Sequence, residues 1–113
     1  MNNTKASNPS KSTETKIYVA STKQKGSFNL LGDIIDICNI NASTTDIVST
    51  MHNYLNRLTE IQASVFKAYF WRQSTIEEMT DMFSFNSDNY TKQVLNAAIF
   101  EYVDMLKADY GTK

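Results

Sequence analysis

Residues 58–98 read LTEIQASVFKAYFWRQSTIEEMTDMFSFNSDNYTKQVLNAA, and how this stretch is parsed decides the fold. Its apolar residues recur at helical spacing, not in strand-like alternation. Thr59 is placed to cap a helix in which Ile61, Val65, Ala68 and Tyr69 face one way, while Phe66, Phe70 and Trp71 widen that face. Ser74-Thr75-Ile76-Glu77 then has the form of a capping box, which predicts a new helix with the stripe Ile76, Met79, Met82, Phe83. Ser84 to Asn89 is a cluster of turn and cap formers, and a long helix is predicted from about Asp88 to Ala108, stopped near Gly111.

Working outward toward the N-terminus, two more helices are expected. Ile47, Met51, Tyr54, Leu55 and Leu58 form the clearest amphipathic stripe of the chain, opened by a cap among Ser43, Thr44 and Thr45 with Asp46 in the first turn. Before it, Leu30, Leu31, Ile34, Ile35 and Cys38 share one side of a helix that begins near Phe28, and Asn39 to Ser43 reads as a break. The reading is therefore an all-α fold, a small bundle of about five helices over residues 27–113. Residues 1–26 form a separate tail, predicted to be disordered because Asn, Ser, Thr and Lys bury too little apolar surface to offset ordering entropy. Within it, residues 16–20, Lys-Ile-Tyr-Val-Ala, have the bias of a short extended arm.

Charge divides along the same line. Residues 1–26 hold five lysines against Glu14 alone, whereas the remainder carries six basic and eleven acidic side chains. A basic arm of this kind is able to neutralise phosphate without a fixed geometry, and is equally able to be a merely solvated tail. No run of apolar residues is long enough to cross a bilayer, and Met1 to Ser10 lacks the apolar centre of a secretory signal, so the expectation is a soluble cytoplasmic protein. Cys38, the single cysteine, lies between Ile37 and Ile40 and fits a reducing compartment.

Catalytic chemistry finds little to build on. His52 and Cys38 are single representatives of their types on different predicted helices, which argues against zinc and against a nucleophile–base pair. The acidic pairs Asp33/Asp36 and Glu77/Glu78 are accounted for as helix-start charges. Three glycines, at positions 26, 32 and 111, cannot make a phosphate-binding loop. No enzyme activity, cofactor, metal or small-molecule substrate is expected.

The succession of a support helix, a short helix with a capping box and acidic pair, a polar turn and a longer third helix is that of a helix-turn-helix, here residues 59–107. Residues 54–107, about half of the chain, resemble region 4 of sigma-70-type transcription factors and the related small regulators of phages and mobile elements. In that pattern a Leu-x-x-x-Gln-x-x-Val-Phe helix, here Leu58, Gln62, Val65 and Phe66, precedes Ser-x-x-Glu-Glu, here Ser74, Glu77 and Glu78. The departures are a turn about one residue longer, Thr80 and Ser84 in place of the usual small residue and glycine, and a third helix without the family's arginines.

The resemblance implies a transcription regulator from a phage or mobile element, with Asn89, Thr91, Lys92, Gln93 and Asn96 as the DNA-facing residues. Lys92 brings them one positive charge, so weak DNA contact or binding to the transcription machinery are both open. The last helix also carries more apolar residues than one stripe holds. Leu95, Ile99, Tyr102 and Leu106 are the expected partner surface, for a homodimer or another protein. The alternative function is a helical protein-interaction or adaptor module without a nucleic-acid role.

Overall fold

The computed structural model describes residues 21–113, which form five helices: α1, Phe28–Ile37; α2, Thr44–Arg57; α3, Glu60–Phe70; α4, Ile76–Met82; and α5, Asp88–Tyr110. The expected disorder of the tail and the extended arm at 16–20 lie outside the described residues. The tail's remaining part does not behave as a tail. Gly26 is buried, its N–H donates to the Ser74 carbonyl at 3.3 Å, and the Thr22 carbonyl accepts from Glu77 N–H at 3.2 Å. Residues 22–26 are thus a strap across the α3–α4 turn, and the boundary expected at residue 26 shifts toward the N-terminus.

Local chemistry starts each helix. Ser43 caps α2 in a reciprocal box with Asp46, and Thr59 caps α3 in one with Gln62. Each box satisfies two backbone donors that the helix leaves over. The box of α4 uses Thr75 and Glu78, one residue later than Ser74 and Glu77. Ser74 is not free to cap: it is buried, and its backbone spans Gly26 and Ala68, to whose carbonyl its N–H donates at 3.1 Å.

Three helix exits use left-handed residues other than glycine: Asn39, Gln73 and Ser84, with φ of 60°, 57° and 56°. At the end of α4, Ser84 N–H bonds the Asp81 carbonyl and Phe85 N–H the Thr80 carbonyl, the paired closure of a Schellman turn. Ser84 therefore holds a left-handed geometry that a glycine would adopt without strain. The last residues are tied back to the α1–α2 connection. Ile40 and Thr112 form an isolated antiparallel bridge, with Asn41 N–H to the Gly111 carbonyl at 2.9 Å and Lys113 N–H to that of Asn39 at 2.8 Å.

The core explains the apolar surplus of α5. This helix packs against α2, α3 and α4, most extensively against α3. Leu95, Ala98, Ile99, Tyr102, Val103 and Leu106 are all buried, and Val94 and Met105 pack partly buried against the same core. Leu95, Ile99, Tyr102 and Leu106 are consequently core residues and not a partner surface, correcting the expectation drawn from the helix alone. Tyr102 fills the centre, its ring 4.8 Å from that of Phe66 and 5.4 Å from that of Tyr54.

Candidate functional site

Two surfaces compete as the working site: the outward face of α5, which the helix-turn-helix reading assigns to DNA, and a groove between α2 and α3. On α5 the five expected residues do not act together. Asn89 and Gln93 are exposed and Lys92 is half-buried. Thr91 is fully buried, its Oγ1 2.7 Å from that of Thr80 and donating to the Ser87 carbonyl at 3.2 Å. That hydroxyl pair clamps α4 to α5, so Thr91 is removed from the DNA-facing set and the Thr80 hydroxyl has a structural use.

Asn96 is half-buried, and its Oδ1 is shielded from solvent without a hydrogen-bond partner among the described residues. A bidentate contact to adenine needs that oxygen as the acceptor beside the amide donor. What remains outward is mixed in character: Gln93, Asn96, Ala97 and Phe100 border a shallow hollow of about 330 Å³, with Phe100 42% exposed. The exposed charges on α4, which packs against α5, are Glu77, Glu78 and Asp81. Acidic side chains there oppose a phosphate backbone.

The N-terminus of α4 is also occupied. In a helix-turn-helix the early N–H groups of this helix are natural phosphate donors. Here Glu77 N–H is taken by the Thr22 carbonyl and Glu78 N–H by Thr75 Oγ1 at 3.0 Å.

The second surface is larger. A groove of about 610 Å³ runs between α2 and the C-terminal end of α3, closed at one side by the start of α1. Its apolar lining is Phe28, Val48, Met51, Leu55 and Trp71. The polar edge is His52, Asn56 and Lys67, with the His52 ring nitrogen Nε2 3.3 Å from Asn56 Nδ2. Helical spacing places Val48, Met51, His52 and Leu55 on one strip of α2, while Trp71, at the C-cap of α3, lies one turn beyond Lys67, to whose carbonyl its N–H donates. Phe28 reaches the groove because the Ser27 side chain caps α1 there, and its ring meets Trp71 edge-on at 5.4 Å. Val48 is 59% and Trp71 46% exposed.

Sequence reasoning placed Trp71 on the widened apolar face of its helix, and the structure leaves it 46% exposed. It missed the groove, which is assembled from three segments. Val48 carried the available signal: it widens the α2 stripe past what the core covers.

Elsewhere the polar chemistry is structural. The Tyr54 hydroxyl donates to the Asp109 carboxylate, joining α2 to the end of α5. Burial, and then the bond to and charge of Asp109, hold that hydroxyl well above the ordinary tyrosine range. Burial raises Tyr69, and burial together with Tyr54 and Tyr110 raises Tyr102. Among the described residues there is no group of His, Cys, Asp or Glu placed to hold a metal ion, and no helix is long and apolar enough to cross a membrane. No protein-family model matches the chain, and no curated protein or solved structure is detectably similar to it.

Proposed function

We propose that this chain is a non-catalytic helical adaptor on a helix-turn-helix-type frame, which acts in transcription by holding a protein component in the α2–α3 groove instead of reading bases. The observation that carries the reading is the groove itself: five apolar side chains line it, and two of them, Val48 and Trp71, are about half exposed. Contiguous apolar surface with a polar edge is what a protein-docking site presents. The link to transcription rests on the resemblance of residues 54–107 to region 4 of sigma-70-type factors, and a cytoplasmic location follows from that setting and the single cysteine.

Direct DNA contact is the second reading, favoured by the grouping of Asn89, Lys92, Gln93 and Asn96 on the first turns of α5. Against it stand the buried Thr91, the shielded Asn96 oxygen, the filled N-terminus of α4 and its acids. Fluorescence anisotropy with mixed duplex DNA at low salt separates the two. In the adaptor reading, Lys92→Ala and Gln93→Ala each leave any duplex binding within about twofold, since what binding exists comes from dispersed lysines. A loss beyond about tenfold on either substitution, the size expected for removing a base contact, would establish the DNA reading in its place.

A further inference from the structure

The groove has a charge signature of its own. The chain carries more acidic than basic residues, yet among the described residues no acidic side chain lines the groove, and the one formally charged lining residue is Lys67. Its shape is equally selective. The lining residues on α2 run from Val48 to Asn56, a little over two helical turns or about 12 Å. The exposure of Val48 and Trp71 shows an open trough. A small molecule would be left with much of its surface in water, whereas compact ligands are usually enclosed. An open apolar trough of this length suits one face of a short amphipathic helix, with anchors spaced i, i+3 or i+4, and i+7.

We infer that the groove binds an acidic amphipathic helix of a partner protein, its apolar face against Val48, Leu55 and Trp71 and its carboxylates toward Lys67. This rests on the adaptor reading above and adds the chemistry of the occupant. A second copy seated face to face is disfavoured by the same charge. A two-fold pair presents the same patch from both sides, so each Lys67 would face an acid-free lining and the other cation. The closed core supplies no spare segment among the described residues to fill the trough.

Trp71 is the only tryptophan of the chain, so its emission reports on occupancy without a label. The test titrates the full chain with a synthetic amphipathic helix of about eleven residues, leucines along one face and glutamates on the other. A twin peptide carries lysine at each glutamate. The acidic peptide should shift Trp71 emission to the blue in a saturable way. It should bind about fivefold more tightly than its twin, the difference expected between one exposed attraction and one repulsion, and the gap should narrow as salt is raised. Lys67→Glu, at an exposed position, should reverse the preference. Val48→Glu, also exposed, should abolish the shift by either peptide.

Equal affinity for both peptides, unaffected by Lys67→Glu, would overturn the acidic occupant and leave the adaptor reading standing. No shift with either peptide would overturn both. A blue shift that grows with protein concentration alone would replace the partner helix by a second copy.

Discussion

At the scale of single residues, three tyrosines share one core yet are held differently. Tyr54 has a carboxylate to donate to, Asp109, whereas the hydroxyls of Tyr69 and Tyr102 are buried without a partner among the described residues. A hydroxyl buried and unpaired costs free energy that an isosteric ring avoids, while a hydrogen bond to a charged group contributes. Tyr54→Phe should therefore destabilise the protein by about 1–2 kcal/mol in urea unfolding, and Tyr69→Phe and Tyr102→Phe should be neutral or stabilising by up to about 1 kcal/mol. A large loss on Tyr102→Phe would mean that its hydroxyl is satisfied after all. Composition and spacing placed Tyr69 and Tyr102 on helix stripes, but nothing local distinguishes Tyr54's hydroxyl from theirs, because Asp109 is fifty-five residues away.

At the scale of elements, helix starts were legible and helix surroundings were not. Ser43 and Thr59 cap through groups three residues away, so the signal is wholly local. The start of α4 was off by one because Ser74 and Thr75 each precede a glutamate by three residues, Glu77 and Glu78. The choice is made by the strap, which takes the Ser74 carbonyl through Gly26. Thr75→Ala should thus cost about 1 kcal/mol as a lost cap, and Ser74→Ala should leave the α4 start unchanged, both read from thermal unfolding and backbone amide shifts. The strap itself depends on Gly26, where an added Cβ would overlap the Tyr69 carbonyl. Gly26→Ala should cost about 1–3 kcal/mol and raise amide exchange at Glu77, whose donor the strap satisfies. Residues 21–26 read as tail because their composition is polar, and their order comes from backbone bonds that carry no side-chain signature. The surplus on α5 was misassigned for a related reason: a pattern along one helix shows how much apolar surface it has, but not that three neighbours cover it.

At the scale of the whole molecule, the buried tyrosines make stability depend on alkali. Their hydroxyls are held protonated above the ordinary tyrosine value of about 10, so above that pH the unfolded chain releases protons that the folded protein retains. The stabilisation is complete below about pH 10 and declines as pH rises past it, by about 1.4 kcal/mol per pH unit for each such group. Urea midpoints should be flat from about pH 8 to 9.5 and fall steeply by pH 11, with a shallower fall in Tyr54→Phe. The all-α architecture and its order of helices could be read from periodicity and caps, but the groove could not. Its walls come from Phe28, from α2 and from the end of α3, and their meeting depends on how three helices cross. Whether the groove or the face of α5 is the working surface is decided by a photo-reactive phenylalanine analogue. It is placed at Val48 or at Gln93, both exposed, and irradiated in the cells that make the protein. A discrete protein adduct is expected from Val48, weakened by Lys67→Glu, with no nucleic-acid adduct from Gln93. A DNA adduct from Gln93, with none from Val48, would contradict it.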